Sequence, residues 1–177
     1  MRPVFTVGHS NHSLEKFLGI LAAHGVARIA DVRRFPASRR WPHFGAERLE
    51  ASLAAAGIAY SPMPELGGRR RARPDSPHVA WRVEAFRGYA DYMDTPEFAA
   101  ALTTLIPLTQ ETATALMCAE AMPWSCHRSL IADALMVRGF EVREILSEKE
   151  ARPRKLAPFA RVEGERLIYD GGELPLG

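Results

Sequence analysis

The sequence has little cysteine and no long apolar run. Its two cysteines are too few for the disulfide framework of a small secreted scaffold. No apolar run approaches the ~20 residues of a membrane span, and the opening MRPVFTVGHS has no long apolar core of the signal-peptide kind. These absences predict a cytoplasmic protein, in a reducing compartment, without a membrane partner.

The sequence also has few lysines, and its positive charge is carried almost entirely by arginine. Lys16, Lys149 and Lys155 are the only lysines, and the net charge of +2 does not fit a generally basic nucleic-acid coat. Arginine presents a planar fork that suits phosphate or carboxylate, although a GC-rich genome produces the same bias. With 177 residues, 47% of them hydrophobic, the chain is long enough for one domain, predicted over residues 1–177.

Apolar runs alternate with helical patterns along the chain. Short strands are predicted at residues 3–7, 26–32, 58–60, 115–117 and 142–146. Helices are predicted from Ser13, over 46–56, over 81–93 and from Thr95-Pro96, and two short β segments are predicted in 161–172. This alternation predicts a single α/β domain with about five mainly parallel strands flanked by helices, a Rossmann-like three-layer sandwich with a small C-terminal β segment.

One stretch, residues 114–135, concentrates reactive side chains between a predicted strand and a predicted helix. Cys118, Glu120, Cys126, His127 and Arg128 fall within eleven residues. If Ser125 caps the helix, the last three of these lie in its first turn, where unpaired N–H groups attract an anion. Taken singly, each residue also fits an ordinary structural role, such as a small buried thiol or a solvated cation.

Polar side chains follow each of the first four predicted strands. Because the carboxyl ends of parallel strands meet at one edge of a sheet, these side chains are expected to line one cleft. The groups are His9-Ser10, Asp31 with Arg33, Glu65 with Gly67-Gly68, and residues 118–128.

Six short motifs carry a resemblance to a known family. They are Gly8-His9-Ser10, Asp31-Val32-Arg33, Pro36-Ala37-Ser38, Leu66-Gly67-Gly68, Cys118-Ala119-Glu120 and Cys126-His127-Arg128. In this order they resemble the DUF488 family over most of the chain. The resemblance implies an α/β fold with a cleft and a role in nucleotide or nucleic-acid metabolism.

The leading hypothesis is an enzyme that acts on a phosphorylated, nucleotide-like or nucleic-acid substrate. His9 is the expected acid, Asp31 or Glu120 the base or the carboxylate that stabilises an oxocarbenium-like centre, and Cys118 a nucleophile. The predicted substrate-binding residues are Ser10, Arg33, Ser38, Gly67, Gly68, Cys126, His127 and Arg128. A competing interpretation pairs Asp31 with Arg33 or Arg128 in a salt-bridged scaffold without chemistry.

Two other hypotheses remain. Cys118, Cys126, His127 and His9 are soft ligands suited to zinc or iron, but their spacing lacks paired Cys-x2-Cys knuckles. We therefore predict reduced cysteines, no metal and no cofactor. The segments RRFPASRRW and GRRRAR could instead form a basic nucleic-acid surface on which bases stack, although an ordinary solvated loop is slightly favoured for the Arg-rich residues 69–73. The sequence leaves the oligomeric state open.

Overall fold

A six-stranded sheet forms the centre of the molecule. The computed structural model of the protein describes residues 1–171; Gly172, the last residue of the predicted β segments, and residues 173–177 lie outside that range. The strands are β1 (Val4–Gly8), β2 (Arg28–Asp31), β3 (Ala59–Pro62), β4 (Thr114–Cys118), β5 (Val142–Ile145) and β6 (Ala151–Pro153). Their order is β3-β2-β4-β1-β5-β6; the first five are parallel and β6 is antiparallel to β5. The predicted α/β class is confirmed, with one antiparallel edge strand added.

Helices cover both faces of this sheet. They are α1 (Leu14–Ala23), α2 (Ala46–Ala55), α3 (Glu84–Met93), α4 (Pro96–Glu111) and α5 (Arg128–Met136). Two predicted helix starts are confirmed by side-chain caps. Ser13 accepts a hydrogen bond from the backbone N–H of Lys16, and Thr95 accepts one from that of Phe98.

Alternation along the central strands divides the core in two. Successive strand residues point to opposite faces, so in β4 Ala115 and Met117 join one cluster while Leu116 and Cys118 join the other. The first cluster packs against α1 and α2, and the second against α3, α4 and α5. The result is the three-layer arrangement that the alternating pattern predicts.

The chain beyond β6 forms a small hairpin of its own. Strands β7 (Arg161–Glu163) and β8 (Arg166–Ile168) pair antiparallel in a separate two-stranded sheet, with Gly164 turning between them at a φ of 63°. This confirms the predicted pair of short β segments, although they do not extend the edge of the main sheet. Tyr169 follows β8 and is fully buried.

The helices offer no membrane span in the part of the chain that the structure describes. None of them within residues 1–171 combines the length and apolar character required to cross a bilayer.

Candidate functional site

A cleft of about 830 Å³ lies at the carboxyl edge of the parallel sheet. The loops that follow β1, β2, β3 and β4 all contribute to its wall. Its lining includes His9, Ser10, Asn11, Arg33, Arg34, Phe35, Ala37, Ser38, Arg40, Trp41, Gly68, Arg69, Phe86, Cys118, Glu120, Cys126 and His127. The predicted convergence of polar residues at this edge is therefore present in the fold.

The backbone near the cleft is shaped by close approaches and unusual dihedrals. Gly8 admits the carbonyl of Glu120 at a position where a Cβ would collide with it, which brings the loops after β1 and β4 together. Ser10 and Arg69, both in the cleft wall, have positive φ values of 48° and 61°. Left-handed conformations at residues other than glycine are uncommon and cluster at functional sites.

Asp31 and Arg33 form a buried ion pair, with Arg33 in the cleft wall and Asp31 behind it. Arg33 donates from Nε to Oδ1 of Asp31 at 2.9 Å and from Nη2 to Oδ2 at 2.7 Å. The hydroxyl of Tyr60 donates to Oδ2 at 2.5 Å, and the remaining Nη1 of Arg33 donates to the carbonyl of Phe44. Burial opposes the charge of Arg33, but the hydrogen bonds to Asp31 and the charge of Asp31 raise the pKa of Arg33 above its ordinary value. Asp31, 1% exposed, is thereby committed to the scaffold.

His9 is a neutral imidazole at the cleft wall. Its ring stacks on Phe44, with centroids 4.3 Å apart, and its Nδ1 lies 2.9 Å from the carbonyl of Ser10. A carbonyl only accepts, so Nδ1 carries the proton and Nε2 keeps its lone pair. Burial lowers the pKa of His9 to about 4, with a smaller opposing effect from the Ser10 hydrogen bond. At neutral pH this ring is therefore unprotonated at Nε2, and its expected role as the acid stays a prediction.

Arg128 is completely buried, beneath the loop that carries Glu120. Its guanidinium donates to the carbonyl of Glu120, to that of Ala121 at 3.0 Å and to the sulfur of Cys118 at 2.7 Å. Burial lowers its pKa to about 10. Arg128 therefore organises the loop after β4 from behind, and it is not among the cleft-lining residues.

Cys118 and Cys126 are paired with each other. Their sulfur atoms are in direct contact, and the structure leaves no cysteine unpaired among the described residues. The prediction of two separate reduced thiols is corrected on this point. The sequence could not show it, because the contact depends on how the seven residues between the two positions fold back through the Pro123–Ser125 turn.

His127 links this pair to the neighbouring strand. Its Nε2 donates to the carbonyl of Val32 at 2.8 Å, which leaves Nδ1 as an acceptor 3.6 Å from the sulfur of Cys126. Burial lowers the pKa of His127 to about 4. The ring of His127 also contacts Gly68, where an added Cβ would lie 3.0 Å from Nδ1.

Helix α5 begins later than its sequence indicates. The sequence predicted Ser125 as the cap, but the helix starts at Arg128 with His127 in the cap position and without a capping side chain. Cys126 is extended, with φ −139° and ψ 142°. Only Arg128 of the three predicted first-turn residues is therefore helical.

Arginine and aromatic side chains alternate at the cleft mouth. The guanidinium carbons of Arg34 and Arg69 lie 5.5 and 5.6 Å from the ring centre of Phe35, which is 60% exposed. Arg40 lies 5.4 Å from the ring of Trp41 in the same way. Cations over aromatic faces are attracted to them, so the mouth is both basic and aromatic.

The family model for a domain of unknown function, DUF488, matches residues 13–135, well over half of the 177-residue chain. The chain belongs to the DUF488 family. A comparison with curated proteins found no match, and a comparison with solved structures found none either. The matched part of this DUF488 chain includes the loops after β2, β3 and β4, while Gly8-His9-Ser10 precedes it.

Most of the predicted DUF488 site residues meet at the cleft. Those in its wall are His9, Ser10, Arg33, Ser38, Gly68, Cys118, Glu120, Cys126 and His127. Asp31, Gly67 and Arg128 lie behind the wall. Gly67 is required there because a Cβ would collide with the backbone of Arg34.

The sequence-based prediction missed the arginines at the mouth of the DUF488 cleft. Arg34, Arg40 and Arg69 line it; the sequence placed them only in the alternative basic surface of RRFPASRRW and GRRRAR, and not among the predicted site residues. The available signal was local: Arg34 precedes Phe35 and Arg40 precedes Trp41, a pairing of cation and ring in each loop segment. Loop residues have no periodicity that shows their direction, so the signal was weak.

A second cluster of titratable groups lies away from the cleft. His78, Asp91 and Asp94 place possible metal-ligand atoms within 4.8 Å of one another. The backbone N–H of Tyr169 donates to Nδ1 of His78, so Nε2 carries the ring proton and donates it to Asp94 at 2.9 Å. Asp91 accepts from the hydroxyl of Ser76. These hydrogen bonds explain the cluster as a connection between α3 and the C-terminal segment.

Proposed function

We propose that this DUF488 domain is an enzyme that binds a phosphorylated, nucleotide-like substrate in the cleft. The observation that carries the proposal is the charge of the cleft wall, which within residues 1–171 contains four arginines and a single carboxylate, that of Glu120. The arginines are Arg33, Arg34, Arg40 and Arg69. A cleft with this charge favours an anion, and guanidinium groups bind phosphate oxygens through two parallel hydrogen bonds.

The arginines divide by how fully they are already engaged. Arg33 is buried, its charge is balanced by Asp31, and each of its three side-chain nitrogens already donates to Asp31 or Phe44. Arg34 and Arg40 are exposed at the mouth, where Arg34 donates one bond to the carbonyl of Arg69. The phosphate group is therefore assigned to the mouth, and not to the start of α5, where the sequence pattern had suggested an anion.

The aromatic side chains suit the remainder of a nucleotide. Phe35 and Trp41 belong to the same loop, and both stand beside the mouth arginines. Stacking of a base on an aromatic side chain contributes roughly 1–3 kcal/mol to binding, whichever base it is. This arrangement supports a ligand that combines a planar ring with a phosphate.

His9 and Glu120 are the groups suited to acid–base chemistry in the wall. His9 is neutral with Nε2 unprotonated, so its assigned role is to accept a proton from a water or a substrate hydroxyl. Glu120 is exposed to the cleft and can stabilise a positive, oxocarbenium-like centre. Asp31, the other expected carboxylate, has both oxygens occupied by Arg33 and Tyr60 and takes a positioning role.

Calorimetry with a nucleoside monophosphate, the matching nucleoside and inorganic phosphate tests the binding half of the proposal. The monophosphate should bind most tightly. Losing a charge-assisted hydrogen bond of ~1.5–3 kcal/mol should make Arg40→Gln bind roughly tenfold to a hundredfold more weakly. Arg48→Gln is the matched control, because Arg48 is exposed on α2 outside the cleft. Equal affinities for Arg40→Gln and Arg48→Gln would show that the phosphate does not bind at the mouth.

Turnover of a nucleotide panel by the parent and by His9→Gln tests the catalytic half. The parent should release base or phosphate, and His9→Gln should bind the nucleotide with similar affinity but turn it over at least about a hundredfold more slowly. Binding without turnover in the parent would reject the enzyme and leave a nucleotide-binding module.

A second candidate is a module that binds single-stranded nucleic acid. The exposed ring of Phe35 between Arg34 and Arg69, with Arg40 over Trp41, resembles the stacking platforms that such modules use. A salt titration of binding to a short oligonucleotide separates the two candidates. Several phosphate contacts give a steep salt dependence, whereas a mononucleotide enzyme gives a shallow one.

A further inference from the structure

We propose that Cys118 and Cys126 form a reversible dithiol–disulfide couple in the cleft wall that exchanges with small-molecule disulfides. This activity is separate from the proposed nucleotide chemistry and does not depend on it. Two thiols lie sulfur to sulfur at the carboxyl edge of the sheet, and both belong to the cleft lining. Cys118 is 2% and Cys126 3% exposed, so an incoming disulfide would have to reach them from the cleft.

A buried arginine contacts the sulfur of Cys118. The guanidinium of Arg128 lies 2.7 Å from its sulfur, and Arg128 itself is completely buried. A cation held against a thiol stabilises the thiolate, which is the form that attacks disulfides. Cys118 is therefore assigned as the attacking cysteine.

Cys126 has the surroundings of a resolving cysteine. The backbone N–H of Arg128 points at its sulfur from 3.4 Å, and the unprotonated Nδ1 of His127 lies 3.6 Å away as an acceptor for the S–H group. The donor at Nε2 fixes the orientation of the His127 ring against Val32. These contacts hold the second sulfur beside the first one.

The exchange proceeds in two balanced steps. The Cys118 thiolate attacks one sulfur of an incoming disulfide R–S–S–R, forming a protein–S–S–R bond and releasing R–S⁻. Cys126 then attacks the Cys118 sulfur, forming the Cys118–Cys126 bond and releasing the second R–S⁻. The two thiol protons leave with the two released thiolates, so the protein loses two electrons and R–S–S–R becomes two R–SH.

The couple is connected to the rest of the cleft through Arg128. The same Nη1 atom that contacts the sulfur of Cys118 donates to the carbonyl of Glu120, and Glu120 supplies the one carboxylate of the wall. A change in the Cys118 sulfur therefore acts directly on the group that positions Glu120. Oxidation state and nucleotide binding are expected to be linked in this way.

Oxidised glutathione is the probe for the couple, with alkylation of remaining thiols and mass spectrometry as the readout. The reduced parent should lose both alkylatable thiols without retaining glutathione, and an excess of reduced glutathione should restore both. Cys126→Ser should keep one glutathione on Cys118, at a rate at least about tenfold above that of Cys118→Ser, which lacks the activated thiol.

Three results would overturn the proposal. The parent could keep both thiols at every glutathione ratio, or it could hold a disulfide that reduced glutathione and dithiothreitol never open. Equal adduct rates in the two single variants would remove the assigned attacking role of Cys118. The parent titration stands even if a serine variant fails to fold, which circular dichroism reports. Nucleotide affinity of the reduced parent is measured separately, so failure of this proposal and failure of the proposed function are distinguishable.

Discussion

His9 and His127 are held neutral by burial on two sides of the cleft. Burial lowers the pKa of each to about 4, whereas a histidine of the unfolded chain titrates near 6.5. Between these two values the unfolded chain binds more protons than the folded one. The unfolding free energy that depends on these rings being neutral is therefore fully present above about pH 6.5 and is lost as the pH falls towards 4.

We expect His9→Gln to reduce the acid sensitivity of the fold. Between pH 7 and pH 5, the lowered pKa of His9 should reduce the unfolding free energy of the parent by about 1–2 kcal/mol. Glutamine does not titrate. The drop in unfolding free energy between the two pH values, measured with urea, should therefore be smaller in the variant than in the parent by about this amount. Comparing each protein with itself cancels any cost of the substitution that does not depend on pH. An unchanged pH dependence would show that His9 does not titrate as its burial implies.

Asp31 is expected to behave as a scaffold residue in stability measurements. Asp31→Ala leaves the buried Arg33 without its counter-charge, which should cost about 3–5 kcal/mol of unfolding free energy. Tyr60→Phe removes one donor to the same carboxylate and should cost only about 1 kcal/mol. If Asp31→Ala instead kept its urea midpoint while catalysis disappeared, Asp31 would be a catalytic residue.

Part of this pairing was accessible from the sequence. Residues two apart on an extended chain point to the same side, so Asp31 and Arg33 were placed for an ion pair as well as for chemistry. The sequence could not choose between the two, because the choice depends on Tyr60 and Phe44, which come from β3 and from the loop before α2. The burial of both side chains favours the ion pair, and burial depends on the assembled fold.

At the scale of elements, strand positions and helix caps were predictable while tight turns were not. The strands β1 to β5 lie within a few residues of their predicted runs because each combines an apolar stretch with a following polar or glycine residue. The start of α5 was misplaced because Pro123 opens a 3-10 turn that ends at Ser125. Proline fixes φ and favours such short turns, so Cys126 stays extended beside the cleft and the helical conformation begins only at His127.

The cap of α4 gives a measurable effect at this scale. Thr95→Ala removes the acceptor for the backbone N–H of Phe98 and should lower the unfolding free energy by about 1 kcal/mol. Thr103→Ala is the control, since Thr103 is exposed in the middle of the same helix and bonds back to Ala99. Chemical denaturation of both variants provides the comparison. Similar losses in the two would show that the cap does not stabilise α4.

For the whole molecule, the question is whether the C-terminal hairpin belongs to the cooperative fold. The family match ends at residue 135, yet Tyr169 connects the later chain to the core. Its hydroxyl donates to Asp133 of α5 at 3.0 Å, and its ring packs beside Trp81 and Phe159. The other carboxylate oxygen of Asp133, Oδ1, accepts hydrogen bonds from Nε and Nη2 of Arg154. These contacts join residues far apart in sequence into one core.

We therefore expect Tyr169 to contribute to global stability. Tyr169→Ala opens a cavity in the core and should cost about 3–5 kcal/mol, while Tyr169→Phe loses only the Asp133 hydrogen bond and should cost about 1 kcal/mol. Val162→Ala, at an exposed position of β7, is the control and should change little. Unfolding followed by fluorescence and by circular dichroism should remain one coincident transition in all three variants. If Tyr169→Ala released the hairpin to proteolysis while the main transition kept its midpoint, the hairpin would be an appendage and the core would end near α5.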